Sequence, residues 1–313
     1  MIPSYSIYIR TLGKGGEIYK SLLKSIAVQT IPPKEVVIVL PFGFLPPKEV
    51  LGYERFAFCE KGMVKQRLFA IEDAKTEYIL LLDDDVEFEA EFVEKEFKTI
   101  QKAKATCCIA YMARNVNIKK RTLKKRINHI IGSEVYKNTN DNFLYKINKA
   151  GGFITNTHID FSKPVYSQTG HGSNCLCKVS DLRSIHFEKE LWLESSGYAL
   201  PDDQVMFYKL FLQGTNIAVC TNTYFQHLDA ATTNDGKRYL RIAQAKASNY
   251  LIFWYRFIYK RKKGLEKITA IVAIIVRNLM ECLLYALKCH NLNVIKSIYK
   301  GWKFAASYII HNH

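Results

Sequence analysis

The stretch EYILLLDDDV, from Glu77 to Val86, runs six mostly apolar residues straight into three consecutive acids, Asp83, Asp84 and Asp85. A short continuous apolar run of this kind reads as a strand buried on both faces, as in a parallel sheet. The acids behind it are costly. Two unit charges about 4 Å apart repel by roughly 4 kcal/mol at an effective dielectric of about 20. A divalent cation reverses the sign of that cost. Mg²⁺ and Mn²⁺ prefer oxygen ligands and bind through one or two carboxylates plus substrate phosphates. The stretch therefore reads either as a metal–diphosphate site at the end of a strand or as an acid cluster solvated in a loop.

Working outward, SYSIYI (Ser4 to Ile9) reads as an opening strand, and Gly13, Gly15 and Gly16 mark a loop after it. EIYKSLLKSIAVQ then has helical spacing, with Ile18, Leu22, Leu23 and Ile26 on one face, and Pro32 and Pro33 stop it. EVVIVL is a β-branched run ended by Pro41 and Gly43. A second helix is predicted over Met63 to Ala74, with Val64, Leu68 and Ile71 inward. The order β-α-β-α-β with buried strands predicts a doubly wound, mostly parallel α/β sheet flanked by helices, in which ligands gather beyond the carboxyl ends of the strands. The acid cluster falls at such an end. Further on, Val179 to Ile185 reads as a helix. LPDDQVMFYKLFLQG reads as another, starting at Asp202 and Asp203, ending at Gly214, with Val205, Met206, Tyr208 and Leu212 toward the core. NIAVC is a further strand.

The chain has 313 residues and a formal net charge of +16. Residues 236–313 carry fifteen Lys and Arg against Glu266 and Glu281 alone, so most of the excess charge sits in that tail. The division predicted is a catalytic domain over residues 1–235 and a helical, basic and aromatic C-terminal region over 236–313. The tail mixes aromatics with bases in YLIFWYRFIYKRKKG, and its apolar stretch KITAIVAIIVRNLMECLLYALK is broken by Arg277 and Glu281. It falls short of the ~18 uncharged apolar residues that suit a spanning helix. Two readings stand for it: helices lying in an anionic membrane interface, and a helical cap packed on the core. A basic run from Arg114 to Arg126 reads as a solvated face or as a guide for an anionic substrate. Eight cysteines without metal-type or paired spacing read as reduced thiols. The N-terminus lacks the charged and apolar regions of a signal peptide, so a cytoplasmic location is predicted.

A second acid pair, Asp202-Asp203, follows Pro201 at a predicted helix start, where carboxylates cap free N–H groups. Two acid clusters in one α/β chain also suit divided labour, with one holding a cation and the other accepting a proton.

At this point the sequence resembles family 2 glycosyltransferases of GT-A fold, of the bacterial cell-surface polysaccharide and glycolipid type. The pieces that carry the resemblance occur in the family's order: SYSIYIRT, VQTIPPKEVVIV, GMVKQRLFAIEDAKTEYILLLDDDV, GHGSNCLCKVSDLRSIHF and GYALPDDQVMFYKLFLQG. DDD occupies the DxD position, Asp202-Asp203 stand at the Glu-Asp pair, Lys209 replaces a frequent arginine, and FQHL places His227 at a frequent histidine. The resemblance implies a nucleotide-sugar donor, a glycan or lipid-linked acceptor, and Mn²⁺ or Mg²⁺ as cofactor. It implies that Asp85 holds the metal, with His227 on the metal or the diphosphate. Asp83 would lie near the ribose, with Asp84 assisting, and Thr11, Glu17, Lys65 and Arg67 would approach the nucleotide. Asp203, beside Asp202, would be the general base of a single inverting displacement. Asn174 would approach donor sugar or acceptor, and Trp192, Glu194 and Tyr198 precede the acid pair where acceptor recognition is expected. One departure stands out. Where the family carries base-reading aspartates after its second strand, this chain has Leu40-Pro41-Phe42-Gly43.

The expected function is an inverting, metal-dependent glycosyltransferase, peripheral on the cytoplasmic face of the membrane. A nucleotidyltransferase is the alternative enzyme, although RTLGKGGEIYK imitates a phosphate loop only in part. A non-enzymatic binding protein for membranes or nucleic acid is the third reading. Nucleic acid is not an expected partner, because the bases concentrate in an apolar tail and no recognition motif appears.

Overall fold

The structure is a computed structural model that describes residues 3–112, 135–136, 141–228, 236–289 and 293–312. The basic run at 114–126 lies outside the described residues. Two compact units emerge: Met1–Arg114 with Asp160–Leu191 and Asp202–Thr232, and Asn115–Ile159 with Trp192–Pro201 and Thr233–His313.

The first unit is built on parallel strands. Strand β1 (Tyr5–Arg10) is followed by helix α1 (Glu17–Ala27), β2 (Val36–Pro41), β3 (Arg55–Cys59), α2 (Met63–Asp73) and β4 (Tyr78–Asp83). Strands β3, β2, β1 and β4 lie side by side in that order, all parallel, so their carboxyl ends share one edge. Beyond the acids come β5 (Val86–Phe88), α3 (Phe92–Ala103) and β6 (Cys107–Ala110). In the second unit lie β7 (Val135–Tyr136), β8 (Phe143–Ile147) and β9 (Phe153–Asn156), with β9 antiparallel to β8 and parallel to β7. The chain then adds β10 (Tyr166–Ser167), β11 (Asn174–Lys178), α4 (Val179–Ser184), α5 (Asp202–Leu212), β12 (Ile217–Cys220) and β13 (Phe225–His227) to the first unit. Strand β11 runs antiparallel between β4 and β6, β12 continues parallel to β6, and β10 pairs antiparallel with β12.

Period-two alternation sorts the sheet's side chains. Tyr5, Ile7 and Ile9 of β1 and Tyr78, Leu80 and Leu82 of β4 face a core shared with Leu22, Leu23 and Ile26 of α1 and Phe92, Val93 and Phe97 of α3. The opposite face takes Tyr8, whose hydroxyl donates to Asp73 of α2 at 2.6 Å. The same alternation turns Arg10 and Asp83, the last residues of β1 and β4, onto that second face, where register makes them neighbours.

Strand β3 was not predicted. Arg-Phe-Ala-Phe-Cys is short, sits at the sheet edge, and leaves Arg55 and Phe58 exposed, so its apolar signal is weak. In α5 the buried apolar residues are Val205, Met206, Phe207 and Leu210, whereas Tyr208 and Leu212 are only half-buried; the apolar face is turned relative to the predicted one. Cys107, Cys175 and Cys177 are buried together on neighbouring strands, with 3.8 Å between the sulfurs of Cys107 and Cys175, and all three are free thiols.

In the second unit, α6 (Gly236–Phe253) runs into a π-helical turn at Trp254–Ile258, followed by α7 (Gly264–Cys289) and α8 (Asn293–His311). Helix α8 lies close on α6. A Cβ on Gly301 would sit 2.4 Å from the carbonyl oxygen of Gln244, so only glycine permits the approach. This unit takes in more than the tail. The Trp254 indole donates to the Lys149 carbonyl at 3.0 Å, Arg277 donates to the Ala150 carbonyl at 2.9 Å, and Asn249 donates to the carbonyls of Leu193 and Tyr198. Arg277, which interrupts the apolar stretch in sequence, is 4% exposed and paired with Glu281 at 3.1 Å.

Candidate active site

The parallel strands deliver two acid groups to one edge. At the end of β4, Asp83 accepts a 2.6 Å hydrogen bond from Nε of Arg10. The same guanidinium reaches with Nη1 to Oδ2 of Asp202 at 3.0 Å. One arginine thus touches both acid clusters, although they stand more than a hundred residues apart in sequence. Arg67 of α2, 3% exposed, adds a second cation to Asp202 at 3.2 Å.

Asp202 and Asp203 open α5, where unpaired N–H groups and the helix dipole favour carboxylates. Their surroundings set them apart. Burial works against ionised Asp202, yet the charges of Arg67 and Arg10 hold its carboxyl below the usual range. For Asp203, burial and the adjacent Asp202 charge push the carboxyl up to about 6. Asp203 accepts from the backbone N–H of Gly172 at 3.0 Å and of Gln204 at 2.7 Å. Gly172 is a close-approach glycine: a Cβ there would lie 2.9 Å from the Cβ of Asp203 and 3.1 Å from Nη2 of Arg67. It precedes β11, whose start lies beside the end of β4, and Asp83 donates its N–H to the Ser173 carbonyl at 3.3 Å.

The other side of the cluster is closed by a small antiparallel ribbon. β13 pairs with β5, setting His227 opposite Val86, and Leu228 donates its N–H to the Asp85 carbonyl at 2.7 Å. His227 Nε2 lies 3.1 Å from Oδ1 of Asp85. Ligand atoms of Asp83, Asp85 and His227 all fall within 4.8 Å of one another, and all three side chains are partly exposed. Two carboxylates and an imidazole that keep solvent access fit a divalent cation. Asp84 points elsewhere. Thr11 donates to its Oδ2 at 2.5 Å, and burial raises its carboxyl. The Thr11 hydroxyl also accepts from the N–H of Gly13 at 3.0 Å, which ties the loop after β1 to the cluster.

Of the predicted residues, Asp83, Asp84, Asp85, Asp202, Asp203, Thr11, Arg67 and His227 come together here. Others do not join these contacts. Glu17 is an exposed residue of α1 beside Lys20. Lys65 pairs with the exposed Glu60. Asn174 is 3% exposed, accepting from the Ala110 N–H at 2.7 Å and donating to Glu96 at 2.8 Å, so its amide is spent inside the sheet. Burial pushes the Glu96 carboxyl well above the usual range, which makes this a structural pair. Trp192, Glu194 and Tyr198 belong to the second unit, where Trp192 is 6% exposed beneath Arg256 and beside Tyr308. Arg10 and Gly172 are the residues that sequence reading missed. Arg10 ends a strand one residue before Thr11, and the parallel register of β1 with β4 is the signal that locates it. A cavity of about 660 Å³ opens at the opposite sheet edge, among Glu72, Thr76, Lys178 and Arg183. Arg183 is occupied there by the carbonyls of Ile71, Glu72 and Ala74 at the end of α2, and neither the Asp83–Asp85 cluster nor the Asp202–Asp203 pair lines it.

Residues 56–169 match the sequence model described as Glycosyl transferase family 2. The match contains Asp83, Asp84 and Asp85 and stops short of Asp202 and Asp203, whose place in the site rests on the geometry above. Among curated proteins, no sequence matches the chain. Among solved structures, the fold is similar to that of GalNAc-T7 with UDP, GalNAc and Mn²⁺, at 12% identity and a TM-score of 0.50, over 92% of this chain and 58% of that one. It is also similar to S. aureus TarS 1-349, at 15% identity and a TM-score of 0.47, over 98% of this chain and 92% of that one. A mostly parallel sheet, helices on both faces and an acid cluster at its carboxyl edge define the α/β class called GT-A. Residues 56–169, from β3 through that cluster to β10, match the family 2 glycosyltransferase model, and on this match the protein is a glycosyltransferase.

Proposed function

We propose that the protein is an inverting, divalent-metal-dependent glycosyltransferase that moves a sugar from a nucleoside-diphosphate sugar to a hydroxyl of a glycan or lipid-linked acceptor. The observation that carries this reading is Arg10, whose guanidinium contacts Asp83 and Asp202 and so fixes a cation-type cluster beside a base-type cluster. Asp83, Asp85 and His227 would hold Mn²⁺ or Mg²⁺, which when bound neutralises charge on the departing diphosphate. Asp203 has the properties of a general base: its raised carboxyl is more basic than a solvated one and still mostly ionised at neutral pH. In the single displacement, the acceptor oxygen attacks the anomeric carbon and gives its proton to Asp203. The bond from that carbon to the β-phosphate oxygen breaks, and the nucleoside diphosphate departs with its electron pair. Asp202 stays ionised between two arginines and orients the pair. Thr11 positions Asp84, and with it the loop that faces the nucleotide.

GalNAc-T7, similar in fold, is solved with UDP, GalNAc and Mn²⁺, which is consistent with such a donor and metal. Among the described residues no helix is long and apolar enough to cross a membrane. A peripheral enzyme on the cytoplasmic face, acting in cell-surface polysaccharide synthesis, is the reading that suits the basic tail. The test is a panel of nucleotide sugars incubated with the full chain and Mn²⁺. Release of a nucleoside diphosphate supports glycosyl transfer, and release of pyrophosphate would make the protein a nucleotidyltransferase instead.

A further inference from the structure

Helix α7 has a packed side and, opposite it, an exposed apolar side. One side is packed: Ala270, Ile274 and Arg277 are 0–4% exposed. The other side exposes Leu265, Ile268, Val272, Ile275, Leu279 and Leu283, each between 51% and 74%. These six recur at helical spacing and form one uncharged stripe about 27 Å long at 1.5 Å per residue. Surface leucines and isoleucines scattered singly need no explanation, whereas a continuous stripe marks an interaction surface.

Charge tells what covers it. Lys260, Arg261 and Lys263, all exposed, stand immediately before the helix, and Lys267 is in its first turn. The final helix α8 continues the pattern, exposing Lys296, Lys300 and Lys303 among Tyr299 and Phe304. Bases and aromatics beside an apolar face suit a helix lying in the headgroup region of an anionic bilayer. A second copy of the chain would bring the same positive charge and gain no such complement. Arg277 is buried and pairs with the half-buried Glu281 on the packed side, so neither charge lies on the exposed stripe, and among the described residues no helix is long and apolar enough to cross a membrane.

We infer that the outer stripe of α7, flanked by the 260–263 basic cluster, is a docking face for an anionic lipid surface. The inference rests on the membrane part of the function proposed above and gives it a location. It is tested by flotation of the full chain with vesicles of phosphatidylcholine alone or with about one-third phosphatidylglycerol. The wild type should float with the anionic vesicles at least about tenfold more than with the neutral ones. The double variant Val272→Asp, Leu279→Asp should lose at least about tenfold of that binding, and its circular dichroism should be unchanged because both residues point to solvent. Asp203→Asn should float as the wild type does, so a failed catalytic assignment and a failed docking face are read apart. A second double variant, Val272→Ser, Leu279→Ser, guards against misfolding and should lose binding in part. Equal flotation of all variants overturns the proposal. So does sedimentation showing a wild-type dimer that the double variant converts to a monomer without loss of vesicle binding.

Discussion

Two acid clusters share one edge of the sheet, and their environments are opposite. Asp83 and Asp85 stand at the end of a strand, partly open to solvent, with one arginine and one histidine between them. Asp202 and Asp203 stand at the start of a helix, with Asp202 buried, two arginines on it, and two backbone N–H groups on Asp203. An open, under-compensated cluster suits a cation that comes and goes. An enclosed pair with one member neutralised and the other pushed toward neutral pH suits a proton. The chemistry of a carboxylate is thus assigned by its surroundings, since all four residues are aspartate.

The sharpest way to break this comparison is Asp203→Asn. Turnover should fall by about 10²–10⁴-fold, the usual contribution of a positioned base, measured as nucleoside diphosphate release with acceptor present. Next is Arg67→Met, which leaves buried Asp202 with Arg10 alone. Removing one partner of a buried ion pair costs about 3–5 kcal/mol, read as a lowered midpoint in urea. Gly172→Ala should cost less, about 1–3 kcal/mol of stability, because the added methyl must displace Asp203 or Arg67. Where the methyl displaces Asp203, the proposed base, turnover should fall more than nucleoside diphosphate binding does.

The smallest effects are those of pH. Asp203 must be ionised to accept a proton, so kcat/KM should rise with pH up to about 6 and level off above it. Its effect on stability has the opposite sense. A carboxyl raised on folding binds its proton more tightly in the native state, so its contribution favours folding below its unfolded pKa. That contribution is lost as pH rises toward about 6. Asp202, held low, works the other way: its stabilisation is present above the ordinary carboxylate range and is lost as pH falls through its depressed folded value. An urea series between pH 4 and 7, compared with Asp203→Asn, isolates the first of these.

Much of this was legible in the sequence because the signals are local. The apolar run before Asp83 specifies a buried strand, and the proline and acids before Val205 specify a helix start. What was not legible depends on register and on neighbours from elsewhere in the chain. Arg10 becomes a bridge only because β1 and β4 align it with Asp83. Asn174 looks like a site residue from its position after GHGS, yet strand alternation turns it inward to Glu96, a residue whose burial nothing in the helix sequence announces. Glu17 and Lys65 sit on elements next to the site, but their side chains pair with Lys20 and Glu60. The C-terminal region offered two readings, interface helix and packed cap. The structure packs one side of α7 within the second unit and leaves the other side exposed, and the interface reading stays with the docking face inferred above.

In the proposed mechanism, binding and proton transfer are divided between the two clusters. Calorimetric titration of the four nucleoside diphosphates with and without Mn²⁺, run beside turnover on the wild type, Asp85→Asn and Asp203→Asn, tests it most directly. Asp85→Asn should lose the Mn²⁺-dependent part of binding, and Asp203→Asn should bind as the wild type does while turnover collapses. Near-normal turnover in Asp203→Asn, or Mn²⁺-dependent binding that survives intact in Asp85→Asn, would contradict it.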